Sequence, residues 1–372
     1  MTMKSRYLDE ARQRVLVYDG AMGTQIHNLG LHPEDYGGAV QDGCPEILAI
    51  TQPDAIRGIH RAYLAAGADV LETDTFTGTR LKLDDYALGG RTHEINATAA
   101  RLAREAADEF STPERPRFVA GSMGPTGMLP SSDDPSLSNI TYQQLAELYR
   151  EQAVALIAGG VDLLLIETSQ DILEVRAAIT GIRRALAETG RILPIQAQVT
   201  LDTSGRMLLG TDIAAAATIL MHLGVDVIGL NCSTGPEHMR ESVRWLTENI
   251  PLPISTIPNA GLPLNVGGKA VYPMEPDPLA TALAEFISEF GVNIVGGCCG
   301  TTPEHIGRVV AHLADLSPAR QRRPQVRLDH FDADASRRTL LLAASAMRAT
   351  SLRQDPAPLL IGERVNSQGS RK

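Results

Sequence analysis

A recurrent unit of this chain reads Gly224-Val225-Asp226-Val227-Ile228-Gly229-Leu230-Asn231-Cys232. Glycine after a last helical turn is a common helix C-cap, and the apolar run that follows it is typical of a buried strand. The pattern of Gly, a small apolar residue, Asp or Asn and a strand has three other copies, which are Gly67-Ala68-Asp69-Val70, Gly160-Val161-Asp162-Leu163 and Gly291-Val292-Asn293-Ile294. Each copy indicates a helix that leads into a buried strand, which predicts parallel βαβ units.

The whole pattern predicts eight strands with helices between and after them. The strands are Val15–Tyr18, Val70–Thr73, Arg117–Gly121, Asp162–Ile166, Pro194–Thr200, Asp226–Asn231, Pro253–Ile257 and Asn293–Val295. Eight βα units over about 300 residues predict an α/β fold of the (β/α)8 TIM-barrel type. The alternative is a doubly wound open sheet, but Gly20-Ala21-Met22-Gly23-Thr24 after the first strand lacks the spacing of a phosphate-binding loop.

Composition limits the functional classes. The chain has 372 residues, a formal net charge of −10 and four cysteines. The acidic balance argues against binding to nucleic acid or to an anionic membrane surface. Four unevenly placed cysteines do not make a disulfide framework, and neither a signal peptide nor a spanning apolar run is present. We therefore expect a soluble, cytoplasmic protein.

Three cysteines predict a metal site. Cys232 ends one apolar run, and Cys298 and Cys299 follow another within Gly296-Gly297-Cys298-Cys299-Gly300. Zinc favours thiolates, and a catalytic zinc keeps three protein ligands and one open position. Adjacent residues of a strand point to opposite faces, so both neighbours can reach one ion only if the backbone leaves strand geometry there. The alternatives are buried cysteines that act as small hydrophobes, and a vicinal redox disulfide.

Other polar residues are predicted at the same end of the barrel. In TIM barrels the chemistry lies at the carboxyl ends of the strands. Here those ends carry the carboxylates Asp19, Glu72 and Glu167 together with Ser122. Carboxylates could hold an amine, and the backbone of the Gly20–Thr24 loop could hold a carboxylate. With a thiophilic metal, these groups favour a small thiol amino acid as ligand. Asp19 as a simple turn residue and Glu167 as a helix cap are the alternatives.

The remainder of the chain has a different character. We predict a barrel over residues 1–317, an Arg- and Pro-rich linker over 318–358 with one helix around Ala335–Ala349, and the opening of another domain over 359–372.

Several motifs together resemble the homocysteine S-methyltransferase family. They are Asp19-Gly20-Ala21-Met22-Gly23-Thr24, Glu72-Thr73-Asp74-Thr75-Phe76, Gly121-Ser122-Met123-Gly124-Pro125, Glu167-Thr168, Asn231-Cys232 and Gly296-Gly297-Cys298-Cys299-Gly300. Within the family, the segment Pro258–Pro263 most resembles the homocysteine-binding module of cobalamin-dependent methionine synthases, and the tail Ile361–Asn366 resembles the opening of the folate-binding barrel of such enzymes. The family commonly has Asn at the position of Asp74.

The resemblance implies a zinc-dependent methyl transfer to the thiol of L-homocysteine, giving L-methionine. It implies that Cys232, Cys298 and Cys299 hold Zn2+, with the oxygen of Asn259 as fourth ligand without substrate. Asp19 and Glu167 would hold the α-amino group, and backbone at Ala21 and Met22 the carboxylate.

The implied methyl donor is methylcobalamin carried on a separate domain, so the implied partners are cobalamin- and folate-binding domains of the same enzyme. Two alternatives stay open at this point. One is a stand-alone methyltransferase that uses S-methylmethionine or betaine, and the other is a non-catalytic metal- or redox-sensing barrel.

Overall fold

The computed structural model describes residues 5–267, 269–314 and 342–351. The strands in these ranges are β1 (Leu16–Val17), β2 (Val70–Glu72), β3 (Phe118–Met123), β4 (Leu163–Ser169), β5 (Ile195–Val199), β6 (Val227–Asn231), β7 (Ile254–Ile257), β8 (Leu264–Val266), β9 (Lys269–Val271), β10 (Ile294–Val295), β11 (Leu342–Ala344) and β12 (Ala349–Ser351).

The helices in the same ranges are α1 (Arg6–Gln13), α2 (Met22–Asn28), α3 (Leu48–Thr51), α4 (Pro53–Ala66), α5 (Arg80–Asp84), α6 (Thr92–Phe110), α7 (Pro135–Ser138), α8 (Tyr142–Gly159), α9 (Ile172–Thr189), α10 (Ile213–His222), α11 (Pro236–Asn249), α12 (Pro276–Glu285) and α13 (Pro303–Ala314). Short 3-10 turns occupy Pro45–Ile47 and Gly89–Arg91, and a π-helical turn over Phe286–Phe290 extends α12.

Eight parallel strands form the predicted barrel. Their order is β1-β10-β7-β6-β5-β4-β3-β2, so β10 is the eighth strand of the ring. The ring closes between β1 and β2 through a parallel bridge from Tyr18 to Val70. The long helices cover the outside, and apolar side chains from both layers fill the space between them. The prediction of a (β/α)8 barrel is therefore confirmed, and the open sheet is excluded.

The recurrent sequence unit has two structural roles. Its glycines end helices in the left-handed region, with φ of 105° at Gly67 and 93° at Gly160. Its Asp or Asn side chain also accepts a backbone N–H from the neighbouring odd-numbered barrel strand. The four bonds are Val17 to Asp69 (3.2 Å), Val119 to Asp162 (2.7 Å), Ile195 to Asp226 (2.9 Å) and Ile254 to Asn293 (3.1 Å). These bonds fix the register of alternate strand pairs at their amino ends.

Helix α1, which the sequence pattern did not predict, closes the amino end of the barrel. Its buried residues Tyr7, Leu8 and Ala11 join the apolar cluster inside the strands. The Tyr7 hydroxyl donates to Gln196 Oε1 at 2.6 Å and lies 3.0 Å from the Tyr18 hydroxyl. With this end filled, the open end of the barrel is the one at which the strands terminate.

The predicted helix around Ala335–Ala349 is wrong within the described residues. Residues 342–351 form the antiparallel hairpin β11–β12, in which Leu342 pairs with Ser351. Bonds to α10 and the preceding loop explain the difference, because Asp212 N donates to Met347 O at 3.0 Å. Tertiary contacts have overridden the helical composition of the segment. The rest of the predicted linker up to 341, and residues 352–372, lie outside the described residues.

Candidate active site

Three cysteine sulfurs meet at the open end of the barrel. Cys232 follows β6, and Cys298 and Cys299 follow β10 after two glycines. Their Sγ atoms all lie within 4.8 Å of one another, and the Sγ atoms of Cys232 and Cys299 are 3.8 Å apart. The structure therefore brings together the three thiols that the sequence singled out.

The backbone at the vicinal pair has left strand geometry, as the shared site requires. Cys298 N donates to Pro258 O at 2.8 Å, and Cys299 N donates to Asn259 Oδ1 at 3.1 Å. Ala260 N in turn donates to Cys299 O at 3.0 Å. The loop after β7 thus holds both cysteines, and it brings the Asn259 side-chain oxygen next to the thiol cluster.

The cluster fits a tetrahedral metal. With a zinc–sulfur distance of about 2.3 Å, tetrahedral angles place two sulfurs roughly 3.8 Å apart. Hydrogen bonds from Cys232 and Cys298 lower the pKa of Cys299 to about 3. The pKa of Cys298 is raised well above its ordinary value, chiefly by its hydrogen bonds with Cys232 and Cys299 and then by burial, and the charges of the neighbouring thiolates add to the shift. One thiolate forms readily, whereas three together need a cation between them.

A group of buried carboxyls lies beside the thiols. Asp19 is 3% exposed and Glu167 is 4% exposed, and Glu72 N donates to Asp19 Oδ2 at 3.0 Å. Burial raises the pKa of Asp19 and of Glu72, and the charge of Glu167 adds to both shifts. Burial also raises the pKa of Glu167, to about 7. Within the described residues none of the three has an ion pair, so this end of the barrel favours a cationic ligand.

Glu167 is held by neighbours on both sides. The Ser122 hydroxyl donates to its Oε1. Asn231 Nδ2 donates to its Oε2 at 3.0 Å and to Thr168 Oγ1 at 2.8 Å. Ser122, predicted as a substrate-binding residue, is therefore placed to orient the carboxylate. Asn231 was missed as a functional residue, although its position directly before Cys232 at a strand end was the available signal.

The strand ends at this site carry backbone strain. Thr168 has φ of 55°, Cys232 has φ of 59° and Ser233 has φ of 63°. Such left-handed values are unfavourable for residues other than glycine, and they concentrate at functional sites. Asn231 Oδ1 accepts the Thr168 N–H at 2.7 Å, which helps to hold the turn after β4.

The predicted carboxylate-binding backbone lies at the start of α2. Ala21 is the N-cap and Met22 the first helical residue. Ala21 N donates to Thr301 Oγ1 at 3.2 Å, so its amide already has an acceptor. The amides of a first helical turn have no acceptor within their helix, and Met22 begins that turn.

Asp74 and Cys44 are both buried near Glu46. Asp74 is 5% exposed, and burial followed by the charge of Glu46 raises the pKa of Asp74 well above its ordinary value. This shift favours a neutral carboxyl, which has the shape of the asparagine that the family commonly has there. Cys44 is fully buried, and its thiol donates to Glu46 at 3.6 Å, outside the thiol cluster.

Comparison with known proteins identifies the family. The model of the family described as homocysteine S-methyltransferase matches residues 16–313. The chain belongs to the homocysteine S-methyltransferase family. The resemblance that the motifs indicated is thus confirmed, and so is the enzyme class, because the family consists of methyltransferases.

The relatives of this methyltransferase chain include two mycobacterial enzymes. It is 44% identical over 364 residues to the methionine synthase of Mycobacterium tuberculosis and 43% identical over 364 residues to that of Mycobacterium leprae. Each match covers 98% of the chain and 29% of the relative. The chain therefore spans less than a third of the length of these curated relatives.

Solved structures support the same fold for this family member. The homocysteine methyltransferase MmuM from Escherichia coli in its metallated form superposes with a TM-score of 0.65 at 22% identity. The match covers 82% of this chain and 98% of that one. Among the described residues, no helix combines the length and apolar character needed to cross a membrane.

Proposed function

We propose that this chain is the homocysteine-activating module of a cobalamin-dependent methionine synthase. The observation that carries the proposal is the meeting of two groups at one end of the barrel. Three thiols lie within 4.8 Å of one another, and beside them stand buried carboxyls that form no ion pair with any residue the structure describes. Homocysteine has the matching pair of groups, a thiol and an ammonium.

Cys232, Cys298 and Cys299 would hold one zinc ion, and the Asn259 oxygen would supply a fourth ligand without substrate. A carbonyl oxygen has two lone pairs, so Asn259 Oδ1 can keep its bond from Cys299 N as well. Bound zinc would lower the pKa of a coordinated thiol, so that the substrate sulfur is a thiolate at neutral pH.

The other residues orient the substrate. Asp19 and Glu167 hold the ammonium, with Glu72 adding negative charge, and the amide of Met22 holds the carboxylate at the start of α2. Ser122 and Asn231 fix the Glu167 carboxylate. The homocysteine sulfur then attacks the methyl carbon of the donor, the bond from that carbon to the donor breaks, and its electron pair stays on the donor.

The proposal also includes the other domains of the enzyme to which this chain would belong. The alignment with mycobacterial methionine synthases covers 364 residues, and the predicted barrel has only 317, so the similarity extends into the tail. This supports a linker over 318–358 and the opening of a folate-binding domain over 359–372. Methylcobalamin on a separate domain would be the methyl donor.

Zinc analysis of cysteine variants tests the metal site. Purified protein should bind one zinc, and Cys232→Ala, Cys298→Ala or Cys299→Ala should each abolish tight binding and methyl transfer. Cys44→Ala is the matched control and should keep its zinc, because Cys44 lies outside the cluster. Full zinc occupancy in Cys299→Ala would contradict the assignment of Cys299 as a zinc ligand. A wild-type protein without zinc that cycles between dithiol and disulfide would favour a redox-sensing barrel.

A parallel assay of donors tests the subtype. Homocysteine methylation is measured with methylcobalamin, S-methylmethionine and betaine. We expect turnover with methylcobalamin. Turnover with either small donor and none with methylcobalamin would instead favour the assignment as a stand-alone methyltransferase.

A further inference from the structure

Thr301 connects the turn that carries the vicinal cysteines to the loop after β1. The residue comes shortly after Cys298 and Cys299 and is fully buried. Its hydroxyl donates to Cys298 O at 2.7 Å, and its backbone N–H donates to the same oxygen at 3.1 Å. The hydroxyl oxygen also accepts the N–H of Ala21 at 3.2 Å. One side-chain hydroxyl therefore bonds to both segments.

Two further hydrogen bonds join the same two segments. Gly300 N donates to Thr24 Oγ1, in the first turn of α2, at 3.1 Å. Gly297 N donates to Asp19 O at 3.1 Å. Because these two bonds lie on either side of the cysteines in the chain, they fix both ends of the cysteine turn against the loop after β1.

The Thr301 side chain packs closely against its surroundings. A Cβ atom at Gly20 would lie 2.6 Å from Thr301 Oγ1, and a Cβ atom at Gly297 would lie 2.6 Å from Thr301 Cβ, so only glycine fits at either position. The Tyr63 hydroxyl, on α4, donates to Thr301 O at 3.1 Å and lies 3.3 Å from Ala21 O. The Thr301 hydroxyl and both of its partners are therefore held in place.

The two connected segments hold opposite ends of the substrate in the proposed function. The cysteine turn supplies the metal ligands beside which the substrate sulfur binds, and the amide of Met22, next to Ala21, holds the carboxylate. The separation of these two binding points must match the number of methylene groups between the thiol and the α-carbon. Cysteine has the same polar groups as homocysteine and one methylene fewer. A fixed separation therefore distinguishes the two compounds.

We propose that Thr301 is a positioning residue that sets the separation between the sulfur position and the carboxylate position, and thereby selects homocysteine over shorter and longer thiol amino acids. This inference rests on the proposed function, because that function supplies the two binding points. The hydroxyl acts through Cys298 and Ala21, and Thr24 supports the same connection through Gly300. Without the hydroxyl, Ala21 N loses its acceptor, whereas Cys298 O keeps the backbone N–H at position 301.

Calorimetry of zinc-loaded protein with cysteine, homocysteine and the homologue with one additional methylene tests the inference. One methylene changes selectivity by about 10–200-fold, so wild type should prefer homocysteine by a factor in this range. Thr301→Val keeps the shape of threonine and removes the hydroxyl. Its affinity for homocysteine should fall about tenfold, and its affinity for the other two compounds should change less, so the preference shrinks. Thr301→Ser keeps the hydroxyl and should retain the wild-type preference.

Thr218→Val is the matched control, because it removes a buried hydroxyl that donates to Ala214 O within the outer helix α10. It should bind all three compounds as wild type does. Zinc titration of Thr301→Val should show that the metal is retained. Where Thr301→Val does not fold, Thr24→Val removes the acceptor of Gly300 N and should reduce the preference for homocysteine in the same way.

Three results separate the possible failures. A folded variant without the hydroxyl that keeps the wild-type preference, or that loses affinity equally for all three compounds, would overturn this inference alone. Loss of zinc from Thr301→Val would also overturn it, because the hydroxyl would then act on the metal site and not on the separation. A wild-type protein that binds zinc and no homocysteine would overturn the proposed function and this inference with it.

Discussion

Asn231 Nδ2 donates a hydrogen bond of 3.0 Å to Glu167 Oε2, and thereby joins the two halves of the candidate site. Asn231 is the last residue of β6 and directly precedes Cys232, whereas Glu167 lies on β4. A single side chain thus relates the carboxyl group to the thiol cluster. The Asn231 Oδ1 atom also accepts the Thr168 N–H, so both the nitrogen and the oxygen of its side-chain amide are hydrogen-bonded.

Asn231→Ala should weaken homocysteine binding and leave zinc in place. The change removes a donor from Glu167 and leaves the Thr168 amide without its acceptor, which costs about 1–3 kcal/mol. The dissociation constant measured by calorimetry on zinc-loaded protein should rise at least several-fold. Asn249→Ala is the control, because the Asn249 side chain donates to Trp245 O within the outer helix α11. Unaltered affinity, or loss of the metal, would contradict this role.

The stability of the substrate-free protein should fall as the pH rises from about 4.5 to 7. Burial raises the pKa of Glu167 from 4.5 to about 7, so the folded state binds this proton more tightly than the unfolded state does. The stabilising contribution is then complete below pH 4.5 and is lost as the pH rises through 7.

Glu167→Gln removes this titration. The free energy of unfolding at pH 8 should increase by about 1–3 kcal/mol, with a smaller change at pH 5. Urea denaturation at both pH values measures the difference. Glu34→Gln, at an exposed position, should shift neither value. A gain in stability that is equal at pH 5 and pH 8 would show that Glu167 does not titrate in this interval.

The amine interaction can be isolated with a substrate analogue. Asp19→Asn or Glu167→Gln should weaken homocysteine binding by roughly 1.5–3 kcal/mol, the value of a hydrogen bond to a charged group. The analogue 4-mercaptobutanoate has the thiol and the carboxylate without the amine. It should bind wild type and both variants with similar affinity. If the variants lose the same affinity for both compounds, the carboxyls do not act on the amine.

Asn259→Ala should lower zinc affinity without abolishing it. Three thiolates remain, but the oxygen beside them and the acceptor of Cys299 N are both lost. Changes to groups that orient metal ligands typically cost 10–100-fold in metal affinity, and we expect about tenfold here. Competition with a chromophoric chelator measures the constant. A loss of zinc affinity as large as that in Cys299→Ala would show that Asn259 contributes as much to zinc binding as a cysteine ligand does.

The sequence was sufficient to predict the barrel because its signals are local. Gly67 and Gly160 end helices, and each is followed by a buried strand within a few residues. The meeting of Cys232 with Cys298 and Cys299 followed from the same reasoning, because carboxyl ends of parallel strands share one side of a barrel. Strand ends differ from the predicted limits by a few residues, as expected where hydrogen bonding fades.

Local sequence patterns could not predict the contacts between residues that are far apart in the chain. The segment that contains β8 and β9 returns to the loop beside the cysteines through the bond from Met274 N to Ala260 O, which no local sequence pattern indicates. The role of Asn231 depends on the distance between β4 and β6. The hairpin at 342–351 forms against α10, so the composition of the segment alone favoured the wrong element.

The hydrogen bond between Tyr7 and Gln196 spans 189 positions of the chain. During synthesis the Tyr7 hydroxyl can therefore meet Tyr18 early, but its acceptor Gln196 arrives only when strand β5 has left the ribosome. Strand β1 waits longer still, because Leu16 pairs with Ile294 of β10. Residues of α1 and β1 thus complete their contacts only after most of the barrel has been made, and a chain released before β10 would carry an open seam with unpaired strand edges that invite aggregation.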